Sequence, residues 1–117
     1  MHTHHAIDYI EFNVSDMAEA QRFYREAFGW SFTDYAPTYA GINIGEREVG
    51  GLSRTDTLRT GGPLVILFSE DLEASLSAVR AAGGRVVKEP YDFPRGRRFH
   101  FSDPAGNELA VWAEREG

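Results

Sequence analysis

Residues 9–16 alternate between apolar and polar side chains, and the stretch that follows changes to a helical spacing. The alternation predicts a β-strand with one packed face and one polar face, because successive side chains of a strand point to opposite sides. Apolar residues then recur at intervals of three and four over residues 17–28, which predicts an amphipathic helix that packs on a core. Asp16 is suited to cap its first turn, and Gly29 is suited to end it.

The rest of the first half predicts three short strands. They are expected over residues 31–34, 39–44 and 47–53, with a turn at 35–38 and another at Gly45-Glu46. Residues 55–62 are polar and end in two glycines, which is typical of a linker.

The second half repeats the same order of elements. The expected elements are a buried strand over 64–68, a helix from Leu72 to the glycines at 83–84, a short strand over 85–87, an irregular loop over 88–96, and a hairpin of 98–102 and 108–113 across a turn at 103–107. In that turn Asp103 has the sequence context of a turn-forming residue. The histidines at positions 2, 4 and 5 are expected to belong to a frayed polar start rather than to a cation site.

Each half therefore has the order strand, helix, strand, strand, strand. Such an internal repeat predicts two similar lobes packed about a pseudo-twofold axis. The expected fold class is α+β, with two βαβββ modules that form a cup-shaped mixed sheet. We expect one domain over residues 1–117, with module one at about 6–54 and module two at about 63–114.

Composition and charge limit the partners. With 42% hydrophobic and 26% charged residues the chain is expected to fold, and it has neither a transmembrane stretch nor a signal peptide pattern. The net charge of −6 argues against nucleic acid, and the absence of cysteine excludes thiolate metal sites and disulfides. We expect a cytoplasmic protein whose partner is a small molecule, with no membrane association.

Several motifs in this order resemble the vicinal oxygen chelate superfamily, which includes glyoxalase I, bleomycin-resistance proteins and extradiol dioxygenases. The resemblance is carried by Val14-Ser15-Asp16, Phe23-Tyr24, Phe28-Gly29-Trp30, Gly83-Gly84 and Ser102-Asp103-Pro104-Ala105-Gly106-Asn107. It covers nearly the whole chain and is nearest to small glyoxalase-related proteins. It implies the paired βαβββ fold, a homodimer, and lyase or isomerase chemistry of the glyoxalase type.

The resemblance also locates the family's metal ligands, which come from the first and fourth strands of each module. The matching positions are Tyr9, Gly50 or Gly51, Leu64 or Val65, and Ala110. None is a His or a Glu, so these positions offer at most one phenol to a metal. We therefore expect no metal site and no cofactor.

Two residues are candidates for proton transfer. Glu11 shares a strand face with Tyr9, and desolvation in a partly apolar pocket would raise the pKa of its carboxyl group toward that of a general base. The alternative is that Glu11 pairs with an arginine across a wet groove. If the apolar residues of the last hairpin face a helix, His100 faces the cup as a second acid or base, although a structural role is the commoner one for a lone histidine.

Aromatic and polar residues on the same faces are candidates for ligand binding, with planar or cationic molecules as the expected class. They are Tyr9, Asn13, Trp30, Tyr39, Arg98 and Trp112. Two functions remain open at this point. One is a metal-independent enzyme of the glyoxalase type that uses Glu11, and the other is a non-catalytic protein that sequesters a drug or metabolite, as bleomycin-resistance proteins do.

Overall fold

A computed structural model describes residues 2–57 and 62–115. It has the α+β fold class and the twice-repeated βαβββ order that the sequence predicts. The elements are β1 (Ile7–Val14), α1 (Met17–Phe28), β2 (Ser31–Ala36), β3 (Tyr39–Ile44), β4 (Arg47–Arg54), β5 (Leu64–Phe68), α2 (Leu72–Ala81), β6 (Arg85–Phe93), β7 (Gly96–Ser102) and β8 (Glu108–Glu114). The predicted linker at 55–62 lies partly outside the described residues.

The chain divides into two compact units, which we call the first unit (Tyr9–Pro63) and the second unit (Met1–Asp8 with Leu64–Gly117). The strand order is β2-β3-β4-β1 in the first unit and β5-β8-β7-β6 in the second. In each unit one pair is parallel, β1 with β4 and β5 with β8, and the other pairs are antiparallel. A parallel pair needs a long connection, which the helix and the intervening strands provide.

Helix α1 begins and ends as its sequence predicts. The Asp16 side chain accepts a hydrogen bond from the backbone N–H of Glu19, and Gly29 ends the helix with a φ of 74°. The left-handed conformation of Gly29 lets its own N–H bond back to the carbonyl of Arg25, which satisfies a helix-end acceptor.

The expectation that the apolar stripe of α1 is buried was wrong. No residue of α1 is buried, and Phe23 and Phe28 are 50% and 66% exposed. The rings of Phe23, Tyr24 and Phe28 contact one another with centroids 5.1 to 6.5 Å apart, so their outer sides stay in solvent. Tyr24 alone of the three also stacks inward, on the ring of Trp30 at 4.6 Å.

The core of the second unit lies between α2 and the strands β7 and β8. Leu72 and Leu76 of α2 pack against Phe99 of β7 and Val111 of β8, and all four are buried. Helix α2 starts at the capping residue Asp71, whose side chain accepts from the backbone N–H of Ala74. Because Phe99 and Val111 face α2, their strand neighbours point to the opposite side of the sheet.

The predicted loop over residues 88–96 was also wrong, because most of it belongs to β6. This strand runs for nine residues to Phe93 and pairs with β7, with register shifts between Val86 and Lys88 and between Lys88 and Tyr91. Pro90 made this strand hard to predict from the sequence. Proline cannot donate a backbone hydrogen bond to a neighbouring strand and is tolerated only at sheet edges and bulges. Strand β6 is an edge strand of this unit.

The turn before β8 has the structure predicted for it. Asp103 accepts hydrogen bonds from the backbone N–H groups of Ala105 and Asn107 and from the Asn107 side chain. The Asn107 amide, followed by these backbone donors, lowers the pKa of the Asp103 carboxyl group. Asp103 is thus a structural residue of the turn.

The N-terminal residues are ordered against the second unit, and the expectation of a frayed start was wrong. The backbone N–H of His5 donates to the carbonyl of Phe68 at 2.7 Å, and the N–H of Phe68 donates to the carbonyl of Ala6 at 3.1 Å. The His5 imidazole lies 3.3 Å from the hydroxyl of Ser75, which is in α2. His5 has a φ of 65°, an uncommon value for a residue other than glycine, so these contacts hold a backbone that the free chain would avoid.

None of the described helices has the length and apolarity needed to cross a membrane.

Hydrogen exchange tests this ordering. We expect the amides of His5 and Phe68 to be protected in the whole chain, because each donates a hydrogen bond in the pairing with β5. In a chain that lacks residues 1–6, the Phe68 amide should lose its protection while that of Val111, in the core, keeps it. Exchange of the His5 amide at the rate of an unfolded peptide would restore the interpretation of a frayed start.

Candidate functional site

One side of the first unit carries polar side chains. Glu11 of β1 and Gly41 of β3 both pair with Gly51 of β4, so these three residues point to the same side of the sheet. Tyr9 and Tyr39 lie two residues before Glu11 and Gly41 and share that side. Phe12, which contacts Tyr24 of α1, points to the other side. We call the side that carries Tyr9 and Glu11 the polar face of the first unit.

Three phenols and a carboxylate form a hydrogen-bonded group on this face, which we call the phenol cluster (Tyr9, Tyr35, Tyr39 and Glu48). Tyr9 donates to Glu48 Oε2 at 2.8 Å, and Tyr35 donates to Glu48 Oε1. The oxygens of Tyr9 and Tyr39 are 3.0 Å apart. Since the Tyr9 hydrogen is directed to Glu48, Tyr39 is the donor in that contact.

A β-bulge places Glu48 in the cluster. Strand alternation alone would put Glu48 and Gly51 on opposite sides, because they are three residues apart. The register between β3 and β4 shifts, so that Ile42 pairs with Gly50 whereas Asn43 pairs with Glu48. The extra residue, Val49, reverses the alternation and turns Glu48 to the side of Gly51. The sequence analysis missed Glu48 because a bulge changes which side a residue faces.

Two glycines leave the space that the cluster occupies. A Cβ atom at Gly51 would lie 2.1 Å from the hydroxyl oxygen of Tyr39 and 2.9 Å from that of Tyr9. A Cβ atom at Gly41 would lie 2.5 Å from Glu48 Oε1. Any larger residue at either position would displace the phenols or the carboxylate.

The phenol cluster holds Tyr9 in its protonated form. Burial raises the pKa of the Tyr9 phenol well above its usual range, and the neighbouring Tyr39 and Glu48 raise it further. Tyr9 is therefore a hydrogen-bond donor at neutral pH. A neutral phenol is a poor metal ligand, because a metal binds the deprotonated oxygen.

The second unit carries a different polar group on the side of β7 and β8 opposite α2, which we call the polar face of the second unit. His100 pairs with Ala110 across the ladder and is only 4% exposed. Its Nδ1 is 2.9 Å from Glu108 Oε2, and its Nε2 is 2.9 Å from the hydroxyl of Tyr91. Arg98 Nε donates to that same hydroxyl. Both ring nitrogens of the buried imidazole thus have partners.

The direction of the protons follows from the partners. Glu108 accepts from Nδ1 when ionised, so Nδ1 carries the ring proton of neutral His100 and Nε2 is an acceptor. Tyr91 then donates to Nε2 and accepts from Arg98. We call the resulting chain, from Arg98 through Tyr91 and His100 to Glu108, the His100 relay.

A bulge also places Tyr91. Lys88 pairs with His100 and Tyr91 pairs with Arg98, so Glu89 and Pro90 of β6 stand opposite the single residue Phe99 of β7. This brings Tyr91 to the same side as Lys88, against the simple alternation. The Lys88 ammonium lies 5.2 Å from the centre of the Tyr91 ring, and the Arg98 guanidinium lies 5.7 Å from it. Tyr91 therefore lies close to two cations.

His100 is neutral at physiological pH. Burial lowers the pKa of the imidazole, and the nearby cations of Arg98 and Lys88 lower it further, against the opposing effect of Glu108. A neutral imidazole can accept the proton of Tyr91, whereas an imidazolium cannot.

The predicted site residues fall into three environments. On the polar face of the first unit lie Tyr9, Tyr39, half-buried Glu11 and half-buried Asn13, which pairs with Ser53. Trp30 lies in the aromatic group of α1, where its ring is 6.4 Å from that of Phe12. His100, Arg98 and Trp112 lie on the polar face of the second unit. Within the predicted set, Tyr9 is hydrogen-bonded to Tyr39, and His100 is connected to Arg98 through the hydroxyl of Tyr91.

Trp112 is buried, and its indole N–H is already used. It donates to Asp8 Oδ2 at 3.0 Å, and Asp8 Oδ1 also contacts His2 Nδ1 at 2.8 Å. The His2 ring stacks on Phe68 at 4.8 Å and meets the Trp112 ring edge-on at 5.0 Å. The N-terminal segment thus covers this tryptophan, which its sequence position gave no reason to expect.

The residues at the family's metal positions do not fit a divalent cation. Of the two glycines of β4 that match the family's ligand position, Gly51 is the one that shares a face with Tyr9. Within the second unit Ala110 pairs with Ile66, and Leu64 lies on that same side by alternation. Of these four residues only Tyr9 has an oxygen donor, and it is held protonated. Across residues 2–57 and 62–115 no three His, Asp or Glu side chains are grouped as metal ligands.

The close contact at Gly51 can be tested by stability. We expect Gly51→Ala to lower the free energy of unfolding by about 1–3 kcal/mol, because the added methyl group overlaps the Tyr39 ring. In a Tyr39→Ala background the same substitution should cost clearly less, and denaturant unfolding of the four chains of this double-mutant cycle measures the difference. Equal costs in both backgrounds would show that the phenols do not set the requirement for glycine.

The neutral state of His100 predicts an acid-sensitive contribution to stability. The unfolded imidazole binds a proton near pH 6.5, and the folded one binds it at lower pH. Below pH 6.5 the unfolded state therefore holds more protons, so the free energy of unfolding should fall as the pH is lowered. His100→Gln should show a shallower fall, measured by urea unfolding across this range. The other three described histidines are common to both chains, so identical slopes would contradict a neutral buried His100.

Comparisons with known proteins agree with this fold. The Glyoxalase/Bleomycin resistance protein/Dioxygenase superfamily matches residues 6–111. The anthracycline biosynthesis protein DauV of Streptomyces sp. (strain C5) is 31% identical over 116 residues, which are 95% of this chain and 42% of DauV. The anthracycline biosynthesis protein DnrV of Streptomyces peucetius is 29% identical over 96% of this chain and 42% of its own length. The chain thus spans about four tenths of the length of these relatives.

Solved structures share the fold at low sequence identity. The Mn(II)-bound glyoxalase from Novosphingobium aromaticivorans has a TM-score of 0.70 and 23% identity, over 100% of this chain and 43% of that one. The hypothetical protein BH1468 from Bacillus halodurans C-125 has a TM-score of 0.77 and 15% identity, over 98% of both chains. With a family match over most of its length and this fold, the chain belongs to the glyoxalase/bleomycin resistance protein/dioxygenase superfamily.

Proposed function

We propose that this chain binds a small organic molecule on the polar face of its first unit and acts on it without a metal ion. The observation that carries the proposal is the chemistry of the family's metal positions, where Tyr9, Gly51, Leu64 and Ala110 supply a single, protonated phenol. A divalent ion needs about three or four nitrogen or oxygen donors in fixed geometry. Catalysis on such a face must therefore use the side chains themselves.

Glu11 is the proposed general base. It is half-buried on the same face as the phenol cluster, two residues from Tyr9, where a bound molecule would shield it further from water. The hydrogens of the neighbouring phenols are directed within the cluster, so their oxygens can accept a hydrogen bond from an N–H or hydroxyl group of the ligand. His100 of the second unit is the second candidate for proton transfer. The reaction class that fits acid–base side chains and no metal is a lyase or isomerase step.

A planar, cationic ligand is the proposed class for binding. The phenol cluster combines aromatic rings with the carboxylate of Glu48, an arrangement that attracts cations by both charge and ring quadrupole. Two relatives are named for anthracycline biosynthesis, and anthracyclines are planar molecules with an amino sugar. These relatives are more than twice as long as the matched segment, so the likeness supports the ligand class only.

The second candidate function is sequestration without turnover. The same acidic and aromatic cluster favours it, because tight binding of a planar cation needs no acid–base group. The two functions differ in the role of Glu11: a base is needed for turnover, whereas a binder needs only the cluster.

Metal analysis and a pair of variants test the proposal. Protein purified in the presence of a chelator should contain no stoichiometric Zn, Ni, Mn or Fe, and it should still bind an anthracycline, followed by the fluorescence of the drug. The turnover probe is the hemithioacetal of methylglyoxal and glutathione. For Glu11→Gln we expect kcat to fall about a hundredfold or more with binding of the anthracycline retained, because the base is lost and the cluster is not.

Glu46→Gln is the matched control, since Glu46 is an exposed acid of the same unit in the turn between β3 and β4. It should leave both probes unchanged. One tightly bound metal ion per chain would overturn the metal-free mechanism. Unchanged turnover in Glu11→Gln would remove its role as base, and binding with no turnover in the unmodified chain would establish sequestration.

A further inference from the structure

The His100 relay has the composition of a proton-transfer system that ends at a tyrosine. A buried imidazole with one nitrogen on a carboxylate and the other on a hydroxyl is the arrangement by which proteins activate a nucleophile or a base. Here the hydroxyl belongs to Tyr91, which is half-buried, whereas His100 is almost fully enclosed. Tyr91 is the more exposed of the two residues, so it is the one that a ligand on this face would contact.

We propose that Tyr91 is a catalytic residue that exchanges a proton with a carbon acid, with His100 and Glu108 as positioning residues. The inference deepens the proposed function, because it rests on the proton-transfer role proposed there for His100 and names the group that touches the substrate. It does not require Glu11 or the phenol cluster.

The proton balance of the step is complete within the relay. The Tyr91 hydrogen moves to His100 Nε2, and the phenolate oxygen takes a hydrogen from a carbon next to a carbonyl group of the substrate. The C–H bond breaks, its electron pair forms the enolate, and the products are enolate, neutral Tyr91 and an imidazolium paired with Glu108. When neutral Tyr91 gives the proton to a neighbouring carbon of the enolate and regains a hydrogen from the His100 imidazolium, the net reaction is an isomerisation.

The charges around Tyr91 favour formation of the phenolate and of a substrate anion, and they define the substrate class. Arg98 donates to the phenol oxygen and so stabilises the phenolate when it forms. Lys88 and Arg98 both lie within 6 Å of the Tyr91 ring centre, so a negative oxygen that develops beside the ring is stabilised as well. The substrate class is therefore an enolisable carbonyl compound whose anion bears its charge on oxygen.

The groups that affect the pH dependence are those that face the imidazole. They are Glu108 from β8, Arg98 from β7, and Lys88 and Tyr91 from β6. The two cations oppose protonation of His100 and the carboxylate favours it. Because the imidazole is buried, it stays neutral and able to accept the Tyr91 proton to below the pH at which free histidine protonates.

The reactivity of Tyr91 can be measured without knowing the substrate. Phenylmethanesulfonyl fluoride reacts with phenolate: the oxygen bonds to sulfur, fluoride leaves, and the phenolic proton remains on His100. We expect mass spectrometry of the whole chain to find the adduct first at Tyr91. Tyr35, which is 56% exposed and on the first unit, is the internal reference in the same sample. Tyr91→Phe should abolish the fast adduct.

The relay variants separate a working relay from a merely structural one. In His100→Gln the labelling rate of Tyr91 at neutral pH should fall about tenfold or more, while the rate of Tyr35 is unchanged. The unmodified chain should show a rate that levels off once the imidazole is neutral, whereas in His100→Gln the rate should keep rising with pH across the measured range. Glu108→Gln should lower the rate in the same direction.

Two results would overturn the catalytic role of Tyr91. They are labelling of Tyr91 no faster than that of Tyr35, and a labelling rate of Tyr91 that His100→Gln leaves unchanged. If His100→Gln does not fold, Glu108→Gln gives the answer, because loss of the carboxylate beside the imidazole should lower the labelling rate of Tyr91 only if the relay acts on it. Fast labelling of Tyr91 together with unchanged turnover in Glu11→Gln would uphold the Tyr91 site and reject Glu11 as the base.

Discussion

Side chains of a β-strand point alternately to the two sides of a sheet, and this period of two controls both the core and the polar faces of this protein. In the second unit, Phe99 and Val111 pack under α2, so His100 and Ala110 must point to the opposite side. In the first unit, Phe12 points toward α1 and Tyr9 and Glu11 point away from it. The strands that bury the core therefore also carry the candidate functional residues on their opposite side. A shift of one of these strands would displace both sets of side chains.

Bulges interrupt this alternation, and two of them add the residue that completes a polar cluster. The extra residue at Val49 turns Glu48 toward Tyr9, and the irregularity of β6 before Tyr91 turns that phenol toward His100. In both cases a half-buried or buried polar group gains a hydrogen-bond partner that regular pairing would not supply. Because an unpaired buried polar group costs about 1–3 kcal/mol, the partners stabilise the irregular backbone that positions them.

The two clusters have opposite charge. The phenol cluster of the first unit is built around the carboxylate of Glu48, and its central phenol is held protonated. In the second unit Tyr91 lies close to Lys88 and Arg98, and the imidazole behind it is neutral. The first environment is suited to cations and hydrogen-bond donors, whereas cations lie close to the Tyr91 ring in the second.

The sequence by itself determined the fold class, the βαβββ order, the start and end of α1, and the turn at Asp103, because each depends on local periodicity, capping or turn chemistry. It also placed His100 opposite Phe99, since alternation within β7 is regular. The tertiary structure alone decided the partners: the bulges that bring in Glu48 and Tyr91, the strand that continues through Pro90, the exposure of Phe28, and the contacts of His2 and His5 with the second unit. These depend on pairing between distant segments, which local sequence patterns do not encode.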